Sequence, residues 1–184
     1  MKAAIAVYVL VILLFGVVAV SYDAELLQMK VDKYSRSEKA IGATEELSDY
    51  FKDRGEMPAD FNEEEAAHMK DVKRLLQFLQ AALLIGIVVL VALVTMLETR
   101  KLMLYGGLIT LALVILSSAI PFHLLFIMMH HSFFPQGNWS FPAESTIIQY
   151  YPQELFISYA CSIGTTVSLI AAASIIVSFI IERG

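Results

Sequence analysis

The chain has 184 residues, 58% of them hydrophobic and only 17% charged, with a net charge of −5. A soluble domain is nearer half apolar and a quarter charged, so a water-soluble enzyme, a disordered chain and a coiled coil are excluded. The acidic balance also leaves no basic field for nucleic acid. What remains is an all-α integral membrane protein whose apolar residues fall into four runs of bilayer length.

The first run covers residues 3–20. Its length of about 18 residues exceeds the usual 7–15 of a signal-peptide core, and Val18-Ala19-Val20-Ser21 is a poor cleavage signal, so it reads as a retained anchor. Residues 22–74 follow as a helical segment on the extracytoplasmic side. They hold nine basic and fourteen acidic residues, which accounts for the whole net charge. Ala40, Ala43, Leu47, Tyr50 and Phe51 form a helical stripe, and Arg54-Gly55-Glu56-Met57-Pro58 ends that helix. The stripe suits either a cap over the spans or an amphipathic lid in the membrane interface.

A second helix is predicted from Glu63 through Leu97, its apolar part at residues 75–97. Asn62 is an N-cap candidate, and Glu65 three residues on completes a capping-box pattern. At about 100° per residue, Glu64, His68, Asp71 and Leu75 share one face, which flanks His68 with carboxylates. The rise of about 1.5 Å per residue puts His68 roughly 10 Å above the apolar run, at headgroup and ester depth. Surface ion pairs around an interfacial histidine would produce the same pattern.

The third run, residues 102–128, contains Pro121 and His123. That histidine is read as satisfying a backbone carbonyl freed by the proline. Residues 129–156 form a second outer loop without Lys or Arg. His130-His131 opens it, Gln136-Gly137-Asn138 reads as a turn, and Phe133, Phe134, Trp139, Phe141, Tyr150, Tyr151 and Phe156 read as an interfacial aromatic belt. Imidazole is the side chain that in general exchanges protons near neutral pH, so the pair suits acid–base catalysis. The fourth run is residues 157–181. Lys2, Arg100, Lys101 and Arg183 flank the spans on one side, which makes both termini cytoplasmic and the two large loops external.

Other chemistries are weaker. Ser132 beside His131 lacks a nucleophile elbow, and Cys161 sits in an apolar run where thiols are usually inert and no second cysteine exists for a disulfide. No zinc-binding spacing unites His68, His130, His131, Glu64 and Asp71. No metal and no cofactor are expected. A metal-dependent membrane hydrolase and a non-enzymatic, partner-binding membrane subunit stand as alternatives.

Two strings carry a resemblance. Glu65-x-x-His68-Met69-x-Asp71-Val72, then His130-x-x-Phe133-Phe134, Trp139-x-Phe141, Ile147-Ile148 and Pro152-x-x-x-Phe156, resemble the signature of the bacterial lipoprotein intramolecular transacylases. The chain departs from that pattern before the Ile-Ile pair, where Glu144-Ser145-Thr146 stands in place of an Asp. The resemblance spans about residues 45–156 and implies a four-span membrane protein with both motifs outside. It also implies transfer of the sn-2 acyl chain of a diacylglyceryl-cysteine lipoprotein to its own cysteine α-amine. His130 and His68 would be catalytic, with Glu65, Asp71, His131, Asn138 and Trp139 in support: Glu65 or Asp71 orienting His68, and Asn138 or Trp139 steadying the oxyanion. Partners would be the diacylated lipoprotein, or another acyl lipid, and the membrane.

Overall fold

Each apolar run of the sequence contains a long helical stretch in the computed structural model, which describes residues 1–95 and 97–181. Arg183, counted above for orientation, lies outside the described residues. The elements in chain order are α1 (Lys2–Ser21), α2 (Ala24–Tyr34), α3 (Ala40–Phe51), α4 (Glu63–Val94), α5 (Thr99–Ser118), α6 (Phe122–Phe133), α7 (Thr146–Tyr150) and α8 (Gln153–Ile181). Four of them, α1, α4, α5 and α8, are long and apolar enough to cross a bilayer. This is a multi-pass, all-helical membrane protein.

The third apolar run is two helices rather than one. Pro121 supplies no N–H and disfavours the helical conformation in the residue before it, so α5 stops short of it and α6 restarts just after. Ala119 N–H and Ile120 N–H tighten the end of α5 by donating to Leu116 and Ser117 carbonyls. His123 is exposed on the first turn of α6.

The chain forms two compact units. One comprises Met1–Ala19, Phe78–Pro121 and the chain from Ser162 onward. Water cannot drive helix association in hydrocarbon, so close packing at small residues and internal hydrogen bonds must do so. Gly106 lies against the Tyr8 ring and Gly107 against Ile175 and the Ala171 carbonyl, contacts with no room for a larger side chain. Tyr8 Oη hydrogen-bonds Ser174 Oγ, which donates in turn to the Met103 carbonyl at 3.1 Å. Phe78, Leu84, Ile85, Val88 and Val91 of α4 are exposed, as lipid-facing residues are.

The other unit, Val20–Gln77 and Phe122–Cys161, has its own core. Val31, Ala40, Ala43, Leu47, Phe61, Met69, Ile147, Tyr150, Tyr151 and Leu155 are buried together. The apolar stripe of α3 packs into this core, Ala40, Ala43 and Leu47 buried in it and Tyr50 and Phe51 partly buried against it. Lys73 pins the end of α3: its Nζ is 2.7 Å from Asp53 Oδ1 and 4.0 Å from the centre of the Tyr50 ring. Lys30, buried on α2, donates to the Ser158 carbonyl at 3.0 Å and to Ser158 Oγ at 2.7 Å.

The predicted capping box is present, and it does more than start α4. Glu65 N–H donates to Asn62 Oδ1 at 2.9 Å, and Asn62 N–H returns to Glu65 Oε2 at 3.0 Å. The second carboxylate oxygen, Oε1, accepts the Ile147 N–H at 3.0 Å, so one buried side chain serves the first turns of both α4 and α7. Replacing Glu65 with alanine strands two N–H groups. We expect it to lower stability by about 2–4 kcal/mol, about 1–3 for the buried Ile147 N–H and about 1 for the lost cap at the exposed Asn62. Thermal unfolding of the purified protein in detergent checks this; an unchanged midpoint would show that the carboxylate contributes nothing.

Candidate active site

His68 and His130 are brought together from sites 62 residues apart by packing α6 against the first turns of α4. Their ring centres are 6.1 Å apart and the planes differ by 26°. Both side chains are buried, at 6% and 7% exposure. Phe134 meets His68 edge-on at 5.0 Å, and Phe141 lies 5.7 Å away. Around His130 stand Phe126 at 3.9 Å, Trp139 at 4.9 Å and Phe134 at 5.6 Å. The aromatic belt expected from the sequence is therefore wrong for several of its members. Phe134, Tyr150 and Tyr151 are buried, and Trp139 and Phe141 wall the histidine pair; Phe133 and Phe156 are the more exposed ones.

A backbone carbonyl sets the tautomer of His130. Nδ1 lies 2.8 Å from the Phe126 oxygen one turn back, and a carbonyl only accepts, so Nδ1 carries the hydrogen and Nε2 is left as the base. Burial pushes the His130 pKa down, against the Phe126 hydrogen bond, which favours the charged ring. His68, seven residues before the apolar part of α4, is pushed down to about 4, by burial first and by His130 next, with Asp71 opposing. Both rings are thus neutral at neutral pH and able to take a proton.

The supporting residues are arranged differently from expectation. Glu65 makes no hydrogen bond to His68: its oxygens accept from the backbone N–H groups of Asn62 and Ile147, and His68 Nδ1 has no partner among the described residues. Glu64, on the same helical face by periodicity, is exposed. Asp71 is spent on the second loop and on its own helix: it accepts from Gln136 Nε2 at 2.9 Å and Asn138 Nδ2 at 2.8 Å of the loop, and from Arg74 Nη1 of α4 at 3.0 Å. That clamp fixes the turn, in which Gly137 takes a φ of +79°. One of the two Asn138 Nδ2 hydrogens is thereby committed to Asp71 and cannot donate to an oxyanion. Trp139 Nε1–H can, being buried and without a partner among the described residues.

His131 is exposed, its ring 5.2 Å from Trp139. Ser132 is exposed and donates to the Met128 carbonyl at 2.7 Å, the back-bonding of a helical serine rather than the pose of a nucleophile. Where the pattern places an Asp before Ile147, Ser145 turns its hydroxyl to the Pro142 carbonyl at 2.6 Å, and Glu65 caps α7 instead. Among the described residues no three His, Cys, Asp or Glu side chains converge as a metal set. Sequence reasoning missed the Phe126 carbonyl and the Asp71 clamp. The i to i+4 spacing of Phe126 and His130 was visible, but any helix offers such a carbonyl.

No curated protein matches the sequence. The fold is similar to the in meso structure of the membrane integral lipoprotein intramolecular transacylase Lit from Bacillus cereus: TM-score 0.79 and 22% identity, over 98% of this chain and 91% of that one. Two variants of that Bacillus cereus protein, in which a histidine is replaced by arginine or by alanine, match with a TM-score of 0.79 and 20% identity. They cover 98% of this chain, and 89% and 90% of theirs. The model of the family lipoprotein intramolecular transacylase Lit matches residues 3–156, and the chain belongs to that family.

Proposed function

We propose that this chain moves the sn-2 acyl chain of a diacylglyceryl-cysteine lipoprotein onto the α-amine of the same cysteine, leaving an N-acylated, lyso-glyceryl lipoprotein. The observation that carries the reading is the pair of buried histidines with ring centres 6.1 Å apart, one with its Nε2 set as an acceptor by the Phe126 carbonyl.

The chemistry asks little of the protein beyond proton transfer and alignment. Amine and ester belong to one molecule, so holding them in register removes the entropic part of the barrier and no acyl-enzyme is needed. The amine nitrogen attacks the ester carbonyl, and His130 Nε2 takes a proton from it as the C–N bond forms. The C–O bond then breaks, and the same proton returns to the departing glyceryl oxygen. Because His130 is hard to keep charged in its buried setting, it releases the proton readily to that oxygen. His68 acts as partner to this exchange, and Trp139 Nε1–H faces the charge that develops on the carbonyl oxygen. The histidines work on the external side, with both termini in the cytoplasm. Lys2, Arg100 and Lys101 support this orientation, as does a loop from 129 to 156 without a single Lys or Arg.

The test is to express the chain with a diacylated lipoprotein in a host that lacks its own N-acylating enzymes and to sequence the N-terminal lipopeptide by tandem mass spectrometry. The expected product carries one acyl group on the α-amine and one on glycerol. An unchanged diacyl terminus, with the protein present in the membrane, would reject the reaction.

A further inference from the structure

Asp71 fixes the polarity of the Asn138 amide. Asn138 Nδ2 donates to Asp71 Oδ2 at 2.8 Å, and that oxygen also accepts from Gln136 Nε2 at 2.9 Å. A charged carboxylate has no hydrogen to give, so the amide must turn its nitrogen to Asp71. Burial pushes the Asp71 carboxyl up, but the bonds from Asn138, Gln136 and Arg74 outweigh it and hold it below the usual range, so it stays ionised. Asn138 Oδ1 is therefore forced to face the opposite way. It is buried and without a partner among the described residues. A native protein rarely leaves a buried amide oxygen unmet, and such an atom calls for a hydrogen-bond donor that arrives from outside.

The next residue shows the opposite polarity. Trp139 Nε1–H is a buried donor without a partner, on a ring 4.9 Å from His130. Two successive residues of one clamped turn thus offer one fixed acceptor and one fixed donor, the donor on the ring that packs against His130. A molecule that complements them carries N–H bonds next to a carbonyl oxygen. The reacting pair of the proposed substrate, an α-amine against an ester, has that composition.

We propose that Asn138 Oδ1 receives an N–H of the substrate's primary α-amine, and that Asp71 is a positioning residue acting through it. The inference rests on the reaction proposed above. The neutral amine enters with two N–H bonds and a lone pair. The lone pair forms the C–N bond, one proton passes to His130 and on to the glyceryl oxygen as the C–O bond breaks, and the other stays on nitrogen as the amide N–H of the product. Asn138 holds that second hydrogen throughout, which turns the lone pair toward the ester.

A binding cycle tests this apart from catalysis. The probe is a lipopeptide whose two glycerol chains are ether-linked and so cannot react, made with the α-amine and in a desamino form. The full-length protein in nanodiscs is titrated with both. In the wild type the amine confers an affinity advantage, and in Asn138→Leu that advantage falls by about tenfold while the desamino affinity is unchanged, the effect of one buried hydrogen bond. An equal advantage in both proteins would overturn the assignment alone. A wild type that binds neither probe would overturn the lipoprotein reading together with it. Should Asn138→Leu fail to fold, the exchange Asp71→Asn with Asn138→Asp restores the donor–acceptor pair and still turns an oxygen outward. That protein keeps the amine advantage, and its loss in the folded exchange variant would overturn the proposal.

Discussion

His130→Gln lowers the rate of acyl transfer by about three orders of magnitude and leaves a folded protein in the membrane. The magnitude is that of general acid–base catalysis, about 10²–10⁴. Glutamine is chosen because its amide nitrogen can still donate to the Phe126 carbonyl, which now accepts from Nδ1 at 2.8 Å, while its oxygen cannot accept a proton at neutral pH. Alanine would also remove a ring packed against Phe126, Phe134 and Trp139, and so mix a packing loss into the result. The loss should fall on kcat with KM little changed, because the base acts only as the amine attacks. Initial rates of product formation, followed by mass spectrometry at several lipopeptide concentrations, measure both constants, and a thermal midpoint near that of the wild type verifies the fold. Residual transfer well above background is expected, since the alignment of amine with ester survives. A rate within tenfold of the wild type would remove His130 from the mechanism.

What the sequence revealed and what it hid divide along the range of the interactions. Runs of apolar residues and the capping box of Asn62 and Glu65 are local patterns, decided within one or two helical turns, and the structure has four long apolar helices and both capping bonds. The division at Pro121 was visible as a proline, but hydropathy sums side chains and does not register a break in the backbone, so residues 102–128 look like one element when they are two. The carboxylates failed for the converse reason. A helical wheel places Glu64, His68 and Asp71 on one face, yet the wheel knows nothing of what packs against that face. Ile147 takes one oxygen of Glu65 and the 136–138 turn takes Asp71, partners 65 to 82 residues distant.

The aromatic residues show a further limit. An interfacial belt and the wall of a buried site draw on the same residue types, because both need apolar bulk with an occasional polar edge. Only packing separates Phe133, exposed at the end of α6, from Phe134, which lies against both histidines. The neighbouring histidines divide in the same way. Successive residues on a helix point about 100° apart, so when α6 turns His130 inward, His131 must face out. The motif spacing names His130, and its burial gives the physical reason.

His68→Gln lowers the rate by about two orders of magnitude, and the double variant His68→Gln/His130→Gln is no slower than His130→Gln alone. Among the described residues no carboxylate is hydrogen-bonded to His68 Nδ1. Glu65 and Asp71 are engaged elsewhere, and His68 Nδ1 is buried without a partner among the described residues, so no hydrogen bond at Nδ1 holds a positive charge on the ring and the Asp71 charge does not offset burial. Its pKa near 4 says the same. A ring in that state serves only in company with its neighbour, by placing the proton that His130 has taken or by holding the ester oxygen while His130 acts. Residues of one proton-transfer unit are not additive: once the base is gone, its partner has nothing left to assist. Rates for the four proteins under identical conditions settle the matter. Losses that multiply in the double variant, about five orders of magnitude in all, would mean that the two histidines act independently and that the stacked pair is a coincidence of packing.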